Sequence, residues 1–454
     1  MQKKVNDGII KGAFSLGIGA FLAKLLGALY RIPLTNLLGG AGMGLYQTVF
    51  PVYALLLDFS GAGTPTAFSK IISSINENKE KNAFLYLQTG KRLLFVLGLI
   101  FSLFMAIFAK PISTLQSNPS AYLGYVFLSP AVLLVCLLSC YRGYFQGLMN
   151  MTPTALSQIV EQIAKLIFGL TLVFFFRSNL LKSVAGATFA ITLAEFFALL
   201  SLYFAYKRRE KELNLHFCYQ KEGEIKRIKK LIKYSLPVVM VNLLIPLSQV
   251  IDSFLIVNIL SKYRSDGNVL YGILSGVVLT IINLPVSICY GISTSTMPSV
   301  SSAKNQEEKN RRIEKSLILT LAVCLPSVLC VYFFSPTIIN ILYRSLPIFE
   351  KQTAIKLLKI TCPCILLLSL IQTQNATFIA INKLYLPSIT LAVGVAIKTV
   401  VNVVLLKNPT FNVYGGGFGL IACYFFTCLV NLIIIFCLKV KNARQTLENR
   451  QYAN

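Results

Sequence analysis

Roughly a dozen apolar stretches of about 20 residues fill this 454-residue chain, and its lysines and arginines sit almost entirely on alternate gaps between them. A helix of that length crosses ~30 Å of hydrocarbon. No long polar segment is left over for a soluble domain, so the pattern dictates an all-α, polytopic membrane protein with nearly all its mass in the bilayer. The formal charge of +26 would suit a nucleic-acid partner. Only 13% of residues are charged, however, and 55% are hydrophobic, whereas soluble domains are about 25% charged. Basic loops on the cytoplasmic face explain the charge, and no nucleic acid is expected.

The spans read as Gly12–Leu34, Leu45–Ser73, Leu93–Ala109, Tyr122–Phe145, Pro153–Phe176, Val184–Tyr206, Tyr234–Leu260, Leu270–Val300, Leu317–Phe334, Leu357–Ile381, Leu386–Leu406 and Gly416–Leu438. Counting basic residues by gap gives about 29 on the side of the N-terminus and 10 on the other. That asymmetry predicts both termini in the cytoplasm. The basic segment Met1–Lys11 lacks a following cleavage site, so the first span is expected to be retained. The 21 tyrosines, in the absence of tryptophan, supply interfacial aromatics.

A basic loop at 207–233 divides the chain into halves of six spans, residues 1–206 and 234–454. The halves look weakly alike. Lys11 precedes a span carrying Arg31, as Lys233 precedes one carrying Asp252; Leu45-Tyr46 precedes Asp58 as Leu270-Tyr271 precedes Asn283. An even number of spans per half inserts both in one orientation, related by an axis along the membrane normal. Transporters of that construction bind substrate between the halves and alternate access by rocking.

Nothing points to an enzyme. The 11 cysteines lie almost wholly in apolar runs, where cysteine packs as a small hydrophobe, and neither a disulfide framework nor a zinc spacing is visible. Cys362-Pro363-Cys364 is not a CxxC motif and reads as a helix start. His216, the single histidine, lies in the soluble loop. Without a phosphate-binding loop, metal cluster or nucleophile motif, no cofactor or metal is expected, and transport would draw on an ion gradient, the membrane potential or the substrate's own gradient.

Charges inside spans are costly and tend to face a cavity or a partner. Arg31 and Lys24 lie seven residues apart on one face of the first span, a pair suited to an anion. The competing reading has Arg31 reaching to the interface. Asp58 precedes a Gly/Pro cluster that should bend the second span, and it could pair with Arg31 or Lys24 when substrate is absent. Arg142 falls in a tight turn, where it either meets a phosphate or anchors topology. Glu161 and Lys165 are four apart on one span, which allows a local pair; Glu195 has no such neighbour. In the second half Asp252 and Lys398 are isolated charges, with Asn402 one turn from Lys398, and we expect Lys398 to pair with Asp252 as an internal cation.

Three segments resemble a known family. They are Tyr30-Arg31-Ile32-Pro33-Leu34-Thr35-Asn36-Leu37-Leu38-Gly39 continuing through Gly42-Met43-Gly44-Leu45-Tyr46-Gln47, Arg142-Gly143-Tyr144-Phe145-Gln146-Gly147 with Met151-Thr152-Pro153-Thr154, and Ile251-Asp252-Ser253-Phe254 with Asn283-Leu284-Pro285. They are similar to the stage V sporulation protein B group of the multidrug/oligosaccharidyl-lipid/polysaccharide (MOP) exporters, akin to lipid II flippases. The resemblance implies two six-helix bundles forming a V around a cationic central cavity. It implies an undecaprenyl-diphosphate-linked sugar as substrate, its diphosphate held by Arg31, Lys24 and Arg142. Asp58, Glu161 and Asn283 would line or gate the cavity, and Asp252, Lys398 and Asn402 would replace the second-bundle sodium site. Related flippases carry fourteen helices, where this chain shows about twelve. The expectation is therefore a monomeric lipid-linked oligosaccharide flippase of a bacterial cytoplasmic membrane, serving cell-wall or spore-cortex synthesis. A cation/drug antiporter of the same superfamily and a non-transporting scaffold for cell-wall enzymes are the rivals.

Overall fold

A computed structural model describes residues 2–75, 79–212, 223–303, 305–381, 383 and 385–451; its side chains are described between Leu25 and Lys439 except at Ala28, Ala62, Lys79 and Pro298. All of its regular structure is helical among these residues. Ten helices are long and apolar enough to span a membrane, or eleven if a pair bent by 42° counts as one.

In chain order, α1 is Gln2–Leu57, α2 Thr64–Ser73, α3 Lys79–Ile107, α4 Ala109–Leu115, α5 Tyr122–Gly147, α6 Thr152–Phe175, α7 Leu180–Glu212, α8 Glu224–Asn242, α9 Leu244–Leu260 and α10 Gly267–Gly272. There follow α11 at Leu279–Ser301, α12 at Gln306–Leu342, α13 at Ile348–Thr361, α14 at Pro363–Ala380, α15 at Tyr385–Leu406 and α16 at Tyr414–Gln451. At 1.5 Å per residue α1 would far exceed one bilayer crossing. It is broken at Gly39, whose φ of 65° and ψ of −178° lie outside the helical region and favour glycine. The first two expected spans are thus its two arms, joined by that glycine instead of by a loop.

The second arm does not stop at Leu57. It runs through a π-turn, Asp58–Ala62, into α2. The expected bend at the Gly/Pro cluster takes this form because Gly61 and Gly63 leave the chain free to widen its turn and Pro65 then starts α2. A second π-turn, Ile273–Val278, sits between α10 and α11. The seventh expected span is the bent pair α8 and α9, and the tenth is α13 and α14 broken at Cys362, where Pro363 occupies the first turn of α14.

The chain forms two compact units, Met1–Gly272 and Ile273–Asn454. In the first, α5 and α7 are the inner helices, packed on α3, α6 and the second arm of α1. Tyr30, Leu34, Met43, Tyr46, Val49 and Tyr125 form a core in which each is no more than 4% exposed. The outer faces of α3 and α6 instead present Phe95, Ile100, Phe104, Ile163 and Phe174 to the outside, the composition required of a surface that meets acyl chains. In the second unit α14 is central, touching α11, α12 and α16, and α15 packs along α16. Its interior is laced with hydroxyls and amides. Thr373 bridges Thr320 and Ser293 at 2.8 and 3.3 Å, and Gln374 donates to the Cys428 carbonyl at 3.2 Å. Small polar residues that let helices approach and bond across are the usual cohesion within a bilayer.

Candidate functional site

The second arm of α1 repeats aromatics at helical spacing, Tyr46, Phe50 and Tyr53. The Phe50 ring lies 6.1 Å from that of Tyr46 and 5.9 Å from that of Tyr53. Two cations converge on Phe50. The Arg31 guanidinium carbon is 5.8 Å from its centroid, and the Lys165 ammonium, brought in by α6, is 5.7 Å from it and 5.6 Å from Tyr30. Gly169, one turn beyond Lys165, makes room for Tyr30; a Cβ there would overlap the phenol. Arg31 is half-buried, and neither cation forms an ion pair among the described residues. The quadrupole of an aromatic face attracts a cation without neutralising it. Two positive charges on one ring therefore leave an unbalanced field for an anion.

A second, better satisfied cluster lies beside the first. Arg142 is not in a turn: α5 continues through Gly147, so the guanidinium faces α6. It donates to Glu161 Oε2 at 2.9 Å and to Ser157 Oγ at 3.2 Å, and Gln162 donates to Glu161 Oε1 at 3.0 Å. The local Glu161–Lys165 pair allowed by their spacing is replaced by this inter-helix pair. The carboxylate gains one donor from each of Arg142 and Gln162, and Lys165 is freed to turn toward α1. Glu195 on α7 is 7% exposed, and its Oε2 has no hydrogen-bond partner among the described residues; the same holds for the hydroxyl of Tyr53 and for Gln158 Oε1. Glu161, Arg142 and Lys165 all act on Glu195 electrostatically.

The remaining expected residues are divided between the two units. Lys24 lies outside the residues whose side chains are described. Asp58 opens the π-turn, half-exposed and without an ion pair among the described residues; of its two possible partners, Arg31 is not paired with it, and Lys24 lies outside the described side chains. Asp252, on α9, belongs to the first unit, and Lys398 and Asn402, on α15, to the second. Lys398 and Asn402 share a face four residues apart, 2% and 1% exposed, against α16, where Gly419 admits the Asn402 amide. Asn283 is exposed on α11 and its carbonyl accepts from Ser287. The sequence reading left out Lys165, Phe50 and Tyr53 as site residues. The i+4 spacing of Tyr46–Phe50 and the charge of Lys165 within an apolar span were the available signals, but only the α1–α6 packing shows that they meet.

A polar clasp joins the second arm of α1, just after Gly39, to residues of α9 and α10. Gln116 donates to Ser253 at 3.0 Å and to the Thr48 carbonyl at 3.3 Å, and accepts from Tyr125 at 2.6 Å. Asn118 donates to Thr48 Oγ1 at 3.1 Å and to Asn268 Oδ1 at 2.7 Å, and Asn268 donates to the Ala41 carbonyl at 3.0 Å. Gly40 and Gly44 of α1 approach Gly272 and Asn268 of α10 so closely that a side chain on Gly44 or Gly272 would collide with backbone. The second arm of α1 is thereby bound to α9 and α10.

A family model described as "Polysaccharide biosynthesis protein" matches residues 9–304, and a second, described as MatE, matches residues 237–404. Lipid II flippase MurJ of Bacillus subtilis (strain 168) is 29% identical over 431 residues, covering 89% of this chain and 78% of the relative. Stage V sporulation protein B of the same organism is 24% identical over 425 residues, covering 91% and 80%. Among solved structures, an inward-facing MATE-family multidrug resistance transporter of the MOP superfamily shares the fold with a TM-score of 0.73 at 14% identity, over 93% of this chain and 96% of that one. Lipid II flippase MurJ in an inward closed conformation does so with a TM-score of 0.70 at 16% identity, over 94% and 92%. With a family match over most of its length and this helical membrane architecture, the chain belongs to the polysaccharide biosynthesis protein family of the MOP superfamily.

Proposed function

We propose that this protein is a flippase for a lipid-linked oligosaccharide, moving an isoprenoid-diphosphate sugar across a bacterial cytoplasmic membrane by alternating access. The observation that carries this reading is the convergence of two cations, Arg31 and Lys165, on the Phe50 ring inside a membrane bundle, neither of them in an ion pair among the described residues. A diphosphate supplies the charge that this site lacks, and Arg and Lys are both suited to bind it. Arg142 joins them only by exchanging Glu161 for phosphate, which makes Glu161 the internal competitor. Such an exchange supplies the difference in affinity between two states that a conformational cycle needs. Lys24 would extend the cationic face, and Asp58 would be the second competitor. In this reading both termini are cytoplasmic, the loop at 207–233 links two six-span halves, and the protein acts as a monomer. Asp252, Lys398 and Asn402 would stand in place of a coupling-ion site. The relatives named lipid II flippase and sporulation protein support cell-wall or spore-cortex precursors as the cargo class.

The test is translocation of a fluorescent undecaprenyl-diphosphate saccharide in proteoliposomes. Arg31→Ala and Lys165→Ala should each reduce the rate at unchanged reconstitution; wild-type rates in both would remove the assignment. A second reading, cation or drug export, is favoured by the MATE likeness and by the buried Glu195 and Tyr53. Extrusion of a lipophilic cation that depends on Glu195, with no lipid translocation, would select it.

A further inference from the structure

The second unit contains a cavity of about 490 Å³ that plays no part in the site above. It lies where the N-terminal turns of α12 meet the C-terminal end of α14 and the middle turns of α16. Its rim carries three ammonium groups, Lys309, Lys383 and Lys439, and one carboxylate, Glu314. Its floor is apolar, formed among others by Leu317, Leu432 and Phe436. The volume falls in the range of small-molecule sites. Lys439 is already paired with Glu314. Lys309 and Lys383 form no ion pair among the described residues, so the rim holds net positive charge. Gln306 and Asn310 add amides beside Lys309, bonded to each other at 3.3 Å.

We propose that this cavity binds an anionic glycerophospholipid, its phosphodiester between Lys309 and Lys383 and one acyl chain along Leu317, Leu432 and Phe436. Charge and polarity select this occupant. A soluble anion would use the rim and leave the floor unoccupied. A neutral lipid would use the floor and leave two ammonium groups without a counter-charge. The setting agrees, because the rim belongs to the basic ends of these spans, and basic pockets between membrane helices on that side are where anionic headgroups dock. Phe436, 65% exposed, and Leu432, 38% exposed, continue the floor outward, which gives a lipid a lateral way in. The Lys439–Glu314 pair closes one edge. Pairing with Glu314 leaves Lys439 as a weaker contributor than the other two lysines. The proposal does not depend on what the protein transports.

The experiment measures binding of dioleoylphosphatidylglycerol to purified, delipidated protein by native mass spectrometry. Lys309→Gln/Lys383→Gln should weaken it about 30-fold, at about 1 kcal/mol per basic residue. Lys229→Gln/Lys230→Gln, which removes two basic residues from α8, should leave it unchanged. Lys383→Gln alone, in a connecting segment outside the helices, should weaken it about fivefold and guards against a folding defect in the double variant. Equal affinity in the double variant, or dioleoylphosphatidylcholine binding as tightly as the anionic lipid, would overturn the proposal. Inorganic phosphate binding with the same lysine dependence and no need of an acyl chain would overturn it too, in favour of a free-anion site.

Discussion

Gly44→Ala tests whether the polar clasp is one of two states of the molecule. A Cβ built on Gly44 lies 2.5 Å from Asn268 Oδ1 and 2.7 Å from its Cγ, and it collides with the Asn268 carbonyl oxygen as well. The amide can swing aside; the carbonyl belongs to α10 and cannot move without it. Forcing one carbon into a tight contact costs about 1–3 kcal/mol, and a backbone obstacle places this near the upper end. If the bound and released arrangements of α1 and α10 differ by only a few kcal/mol, a cost of about 2–3 kcal/mol shifts their ratio by about 30- to 150-fold. The assay is labelling of a reporter cysteine at Ser117, an exposed residue that bonds Asn258 beside the clasp. Gly44→Ala should raise the labelling rate with little loss of folded protein. Adding Asn268→Ala should not restore the slow rate, because the carbonyl remains and the Asn118 and Ala41 bonds are lost with the side chain. Unchanged labelling in Gly44→Ala, or full rescue by Asn268→Ala, would refute the reasoning.

Other outcomes follow from the same packing. Arg142→Ala leaves Glu161 with only the Gln162 amide, and the side chains are 17% and 18% exposed. Thermal unfolding should show a loss below the 3–5 kcal/mol typical of fully buried pairs, mostly recovered by Arg142→Ala/Glu161→Gln. Gly169→Ala should displace Tyr30, and with it the α1–α6 contact that presents Lys165, costing about 1–3 kcal/mol in the same assay and slowing translocation. In the loop before α10, Arg264 donates to both oxygens of Asp266 at 2.6 and 2.7 Å and holds that carboxyl below its ordinary value. A depressed folded-state pKa stabilises above the unfolded value and is lost as pH falls through the folded one. Hydrogen exchange in residues 262–267 should therefore quicken on acidification below about pH 4, by no more than the ~1 kcal/mol of a partly exposed pair. Asp266→Asn should abolish that pH dependence.

Hydropathy and the alternation of charge were enough to determine the class of this protein, the approximate span positions and a bend after Asp58. The bilayer enforces these, because every backbone group within it must be satisfied inside a helix. The resemblance carried by the Arg31 and Arg142 segments agrees with the family that the comparisons show. Partner choice was not available in the same way. Spacing allowed Lys165 to pair with Glu161, and only the approach of α5 and α1 to α6 gives the carboxylate to Arg142 and the ammonium to Phe50 and Tyr30. Gly39 looked like part of a loop, and its backbone dihedrals make it a hinge within one long helix. The lipid-facing surface and the packed helix interfaces both take apolar residues, as Phe95 and Ile100 on one and Leu34 and Val49 in the other show. One-dimensional pattern therefore determines which segments cross the membrane, while the faces that meet, and the charges left unbalanced where they meet, are decided by tertiary packing.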